Sequence, residues 1–231
     1  MRASLPDAAA PRPGLPSALR RHQLVRLTGA GWARVLDAPW DSGARSCLGL
    51  WAARGLPLVV TRQPADIGER VACGLPTPAR FRRRRLALAT APGDVLFLDV
   101  FPPAADAGRL LPPVAHDAWR SLLAGLAGAD CAPRVYGGFG WQRLTRLAYV
   151  HADSDIDLLL PVTGAEHADA VCAELAAAPA VGPRLDGEQL MPDGGAVAWR
   201  EWRDYRAGRV AQVIVKRLHG VALECPGEAA C

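Results

Sequence analysis

Three aspartates stand two residues apart in HADSDIDLLL: Asp153, Asp155 and Asp157, entering an apolar run that continues to Leu160. In an extended strand, residues i and i+2 point to the same face. Asp155 and Asp157 therefore project together, while Ile156 and Leu158 face the other way. Two ionised carboxylates held side by side repel each other and resist burial. A divalent cation between them reverses that balance, and Mg2+ takes oxygen ligands, commonly one or two carboxylates with substrate phosphate oxygens. Asp155 and Asp157 are thus the candidate catalytic and metal-holding pair. Serine and aspartate favour turns, so Asp153 is assigned to the turn before the strand.

A second feature lies upstream. Gly137 and Gly138 end the short apolar segment PRVYGG and open FGWQRLTRLAY. Without side chains, they let phosphate oxygens approach the backbone. The start of the helix they open offers free N–H groups and a partial positive charge. A glycine-opened helix followed by paired aspartates supplies both halves of a nucleoside-triphosphate-like site, a phosphate cradle and a metal anchor.

The elements that must position these residues form an α/β order. PRVYGG reads as a strand, FGWQRLTRLAY as a short helix, SDIDLLLPV as a strand and Gly164–Ala178 as an alanine-rich helix. Asp193-Gly-Gly predicts a hairpin between strands near Arg184–Leu190 and Ala196–Trp202. RVAQVIVKRL (Arg209–Leu218) reads as a last strand. Before this unit, LPLVVT (Leu56–Thr61) reads as a strand, Arg85–Val100 as a hairpin turning at Pro-Gly-Asp, and Val114–Gly128 as a helix. The expected division is a disordered leader over 1–19, an N-terminal domain over 20–128, a catalytic domain over 131–223 and a flexible tail over 224–231.

The whole chain sets limits. Its 231 residues suffice for one large or two small domains. Half are hydrophobic and 22% are charged, a globular composition. No apolar run approaches the roughly 20 residues that span a bilayer, so no membrane partner is expected. The net charge is +4 and Lys216 is the only lysine. Arginine forks suit phosphates and carboxylates, but this mild excess falls short of a nucleic-acid binder's basic footprint. The six cysteines show no C-x-x-C spacing and read as reduced thiols of a cytoplasmic protein. The chain carries no G-x-S-x-G, Walker or Rossmann fingerprint.

Gly-Gly opening a helix, followed by Asp-h-Asp-h entering a strand, resembles the nucleotidyltransferase superfamily related to DNA polymerase beta. The wider text, including DGGAVAWREW and PLVVTRQ…GLPTPARFRRRRLAL, is similar to one branch of it. That branch is the malonate decarboxylase holo-acyl-carrier-protein synthases, or phosphoribosyl-dephospho-CoA transferases, and the likeness spans roughly His22 to Leu223. The resemblance implies a polymerase-beta-like core of mixed sheet and helices, preceded by a smaller family-specific α/β domain. It implies Mg2+ and the substrate 2′-(5″-triphosphoribosyl)-3′-dephospho-CoA. The expected partner is the acyl carrier protein subunit of malonate decarboxylase, whose serine receives the phosphoribosyl-dephospho-CoA group as pyrophosphate leaves. It also implies a third carboxylate from a neighbouring strand, with Glu201 the first candidate and Glu188 the second. Arg143 and Arg146, three apart on the helix after the glycines, are candidates for the triphosphate, and Lys216 for a phosphate. Trp141 is a candidate for stacking on adenine or for the core. Arg82–Arg85 is either a solvated hairpin edge or a clamp for CoA phosphates or an acidic carrier. The competing readings are a nucleotidyltransferase acting on another acceptor and a non-catalytic carrier-binding module.

Overall fold

The computed structural model describes residues 19–226. The leader expected over 1–19 lies, but for Leu19, outside the described residues, as does the tail from 227 onward.

The first sheet holds β1 (Leu24–Leu27), β2 (Leu58–Val60), β3 (Val71–Pro76), β4 (Arg85–Thr90) and β5 (Val95–Asp99) in the order β4-β3-β2-β1-β5. Every pairing in it is antiparallel. Helices α1 (Gly29–Asp37) and α2 (Ser42–Ala53) link β1 to β2. Each starts at a side-chain cap that satisfies an otherwise orphaned N–H. Thr28 Oγ accepts from Gly31 N at 3.0 Å, and Asp41 from Ala44 N at 2.9 Å. Their inner faces bury Trp32, Val35, Cys47, Leu48 and Trp51 with the sheet.

The hairpin expected over Arg85–Val100 does not form. Pro92–Asp94 is a turn of 3-10 helix, and β5 pairs with β1 at the opposite edge of the sheet from β4. The turn residues are anchored to α1 instead. Thr28 N donates to Asp94 O at 2.9 Å, and Arg34 Nε donates to the buried Asp94 carboxylate at 3.0 Å. The basic run folds as a turn in which Arg82 and Arg83 both take left-handed backbone, while Arg84 pairs with Asp41 at 2.6 Å.

The second sheet contains β6 (Arg134–Tyr136), β7 (Ile156–Pro161), β8 (Leu185–Leu190), β9 (Ala196–Ala198), β10 (Val213–Lys216) and β11 (Val221–Glu224) in the order β11-β10-β9-β8-β7-β6. It is a mixed sheet: β7 and β8 run parallel, joined through α5 (Ala165–Ala177), and the other pairs are antiparallel. Helix α4 (Gly137–Thr145) connects β6 towards β7, and α6 (Trp199–Arg206) follows β9. The strand expected over Ala196–Trp202 ends at Ala198. Trp199 and Trp202, three apart and both buried, instead present one helical face to the core.

Alternation along β7 divides two cores. Ile156, Leu158 and Leu160 pack with α5, α6 and α3 (His116–Gly128). Leu159, on the other face, joins Trp141, Tyr149 and Phe101 in the core of the first sheet. Helix α3 thus packs with the second sheet, where the sequence reading put it in the first unit. Cys47, Cys73, Cys131 and Cys172 are buried free thiols. Among the described residues no helix is long and apolar enough to cross a membrane.

Candidate active site

The two halves foreseen in the sequence meet. Tyr136, the last residue of β6, lies opposite Asp157 of β7, and Gly137 follows with φ +58°. A Cβ on Gly137 would stand 1.8 Å from Asp157 Oδ2. The glycine is required twice, for its left-handed backbone and for the space the carboxylate occupies. No side chain caps α4, so its first N–H groups lack an intrahelical partner. Gly138 would have nothing within 4 Å of an added Cβ. Gly140 serves packing, since its Cβ would come within 2.5 Å of Val135 O. The connection from α4 to β7 is held by the Gln142 side chain, whose Oε1 accepts from Tyr149 N and Val150 N, both at 2.9 Å. Asp153 sits in an exposed turn, as expected, and Asp155 immediately precedes β7.

The parallel neighbour adds carboxylates. Asp186 of β8 is the register partner of Asp157, and Glu188 is that of Leu159. Residues paired in register share a face, so Asp157, Asp186 and Glu188 line one side of the sheet. Burial first, then the charges of Asp186, Asp155 and Glu188, push the Asp157 carboxyl up to about 6. Asp155 is held below its ordinary range by the Arg184 guanidinium. Arg184 Nε donates to Asp155 Oδ1 at 3.0 Å, and a second guanidinium nitrogen to Oδ2. Arg200 lies 3.6 Å from Asp186. Burial opposes ionisation of Glu188, but His22 at 3.0 Å and Lys216 at 2.6 Å more than offset it, bringing Glu188 to about 2. The Tyr136 ring packs 4.8 Å from that of His22. Burial, with Glu188, Asp157 and Asp186 nearby, pushes its hydroxyl far above the usual range.

Among the described residues no three His, Cys, Asp or Glu side chains already converge as a ready metal cluster. Asp155 is turned to Arg184 instead. The donor set nevertheless suits Mg2+. It offers only oxygen, and Asp157 is a carboxylate among carboxylates in need of a counter-charge.

Other expected site residues are placed differently. Glu201 is on helix α6 rather than on a strand, and its Oε2 accepts from Ile214 N at 3.2 Å. Arg143 and Arg146 lie about 9 and 14 Å along α4 from Gly137, at the end away from the carboxylates. There Arg143 pairs with Asp106 at 3.2 Å and both arginines line an open cleft. Lys216 is at the carboxylate face, but engaged with Glu188. Trp141 is buried, edge-on to Phe101 at 5.6 Å and stacked with Tyr149. Asp186, Arg184, Arg200 and His22 were not foreseen. The period-two LDGEQL would have signalled Asp186 with Glu188, had its parallel pairing with IDLLLP been known.

Comparison with known proteins bears on this arrangement. Residues 20–103 match the family described as phosphoribosyl-dephospho-CoA transferase MdcG N-terminal domain, and residues 102–225 match the corresponding C-terminal domain. A phosphoribosyl-dephospho-CoA transferase of Xanthomonas euvesicatoria is 38% identical over 207 residues, covering 85% of this chain and 89% of its own. That of Bradyrhizobium diazoefficiens is 36% identical over 207 residues, 88% of each chain. That of Pseudomonas aeruginosa is 34% identical over 173 residues, 73% of this chain and 78% of its own. No solved structure matches the chain. Two matched domains that together span nearly all the described residues, and relatives aligned over most of their length, show that the chain belongs to the phosphoribosyl-dephospho-CoA transferase family and is a transferase.

Proposed function

We propose that the chain transfers the phosphoribosyl-dephospho-CoA group of 2′-(5″-triphosphoribosyl)-3′-dephospho-CoA to a serine of the apo acyl carrier protein of malonate decarboxylase, by nucleotidyl-type chemistry of the polymerase-beta kind. The observation that carries this reading is the contact between the Gly137 turn and the Asp157 carboxylate. It puts an uncapped helix start beside a carboxylate cluster, as transfer from a triphosphate requires. The serine Oγ bonds to the α-phosphorus, the bond from that phosphorus to the bridging oxygen breaks, pyrophosphate leaves, and the serine proton passes to solvent.

In this reading Gly138 and the first N–H groups of α4 receive phosphate oxygens. Asp155 and Asp157 would hold Mg2+, with Asp186 as the third carboxylate in place of Glu201. The ion would supply charge neutralisation for the leaving pyrophosphate and acidify the attacking hydroxyl. Lys216 and His22 keep Glu188 ionised beside the cluster. A cytoplasmic location agrees with a soluble carrier as acceptor.

The test is intact mass of candidate apo carriers after incubation with the triphosphate and Mg2+. A gain of one phosphoribosyl-dephospho-CoA unit supports the proposal. A gain of a nucleoside monophosphate from another triphosphate would replace it with a different nucleotidyltransferase. Binding of carrier without modification would reduce the chain to a docking module.

A further inference from the structure

We propose that a cavity behind the carboxylate face binds the adenine base of the dephospho-CoA portion, an inference that rests on the transfer reading above and assigns its substrate a second subsite. The cavity, about 370 Å³, opens where β7 and β8 begin, on the side of the sheet facing α3 and α6. Its walls include Trp119, Leu122, Ile156, Leu175, Leu185 and Trp199. That volume lies at the small end of ligand pockets, suited to a base with part of its sugar.

Two features give it a ligand chemistry. First, Trp119 and Trp199 form part of its wall, and aromatic surface suits the flat, stackable body of a purine. Second, the rim is cationic. Arg184, Arg200 and Arg203 line the cavity, and Arg200 and Arg203 hold their guanidinium groups 4.2 and 5.4 Å from the centre of the Trp199 ring. Such planar forks suit a diphosphate.

The cavity is joined to the carboxylates by the same arginines. Arg184 reaches Asp155, and Arg200 reaches Asp186. A ligand with its reacting phosphorus at Asp157 and its base among the tryptophans would pass these two side chains. In the proposed substrate two sugar rings separate the α-phosphate from the adenine, which matches a path around the start of β7 and β8.

The experiment uses 3′-dephospho-CoA itself, which carries no triphosphate and cannot react, titrated calorimetrically into wild type, Ala118→Trp and Trp199→Phe. Ala118 is half-buried on the cavity wall, on α3, so a larger side chain there fills the space from the open side. Ala118→Trp is expected to raise Kd for dephospho-CoA, and KM for the triphosphate substrate, at least tenfold. Trp199→Phe shrinks the aromatic wall and is expected to raise both about fivefold. Wild type that fails to bind dephospho-CoA, or variants whose Kd and KM match wild type, would overturn the subsite. If wild type modifies the carrier while Ala118→Trp behaves normally, the transfer reading stands and the subsite falls. If dephospho-CoA binds with the expected sensitivity but no carrier is modified, the subsite stands and the transfer reading falls.

Discussion

Replacing Asp157 with asparagine separates the cost of the site from its use. Asp157 is half-buried, and its carboxyl is raised from its ordinary 3.8 to about 6 by burial and by three neighbouring carboxylates. A folded-state value above the unfolded one means that folding favours the protonated form. The contribution of Asp157 to stability is therefore greatest below about pH 4, falls as pH rises through about 6, and carries the full penalty at neutral pH. A rise of that size corresponds to at most about 3 kcal/mol. In a chain of 231 residues, each kcal/mol moves Tm by about 2–4 °C. Asparagine is neutral at every pH and nearly the same shape. Asp157→Asn is therefore expected to melt several degrees above wild type at pH 7.5, up to about 10 °C, with the gap closing near pH 4. Added MgCl2 should raise the Tm of wild type and not that of the variant, and carrier modification should be lost. Differential scanning calorimetry across this pH range measures the gap. A variant no more stable than wild type at pH 7.5, or one with the same gain at pH 4, would refute the account of Asp157 as a crowded, unneutralised carboxylate.

Three further outcomes follow from the same geometry. Gly137→Ala puts a Cβ where Asp157 Oδ2 stands and forces a left-handed alanine. It should cost about 1–2 kcal/mol and, by shifting the carboxylate about 1 Å, reduce transfer about 100-fold, whereas Gly138→Ala should leave Tm within about 1 °C. Glu201→Gln keeps the hydrogen bond to Ile214 N in kind and should retain transfer within about threefold, measured as initial rate, although the sequence reading made Glu201 the third carboxylate. Lys216→Met leaves the buried Glu188 with His22 alone and should cost about 3 kcal/mol at neutral pH. Because Glu188 is held near 2, its support is present above about pH 4.5 and lost towards pH 2, so urea titrations should show the deficit shrinking as the solution is acidified.

The second unit was largely legible because its signals are local. The alternation of IDLLLP declared the face of Asp157, Gly137 marked a turn that only glycine could make beside it, and alanine-rich α5 followed helical periodicity. What the sequence concealed depends on partners distant in the chain. Nothing near Pro92–Asp94 reveals that Asp94 will be anchored by Arg34 and Thr28, so a turn that reads as a hairpin sends β5 to the far edge instead. Glu201 looked like a strand residue because AVAW continues a β pattern, while the paired burial of Trp199 and Trp202 made a helix. Asp186 became visible only once β8 was known to run parallel to β7.

The face of β7 that carries Asp157 also carries Leu159, and Leu159 is packed with Trp141, Tyr149 and Phe101 into the hydrophobic core of the first sheet. Tyr149 OH donates to Pro76 O across the same junction at 2.8 Å. Residues of the second unit thus complete the core of the first sheet, although the family divides the two at residues 102–103. Severing the chain there would leave two fragments each displaying aromatic surface, prone to self-association rather than to independent folding. Loss of either half should carry the other with it, as one cooperative denaturation event with calorimetric and van't Hoff enthalpies in agreement.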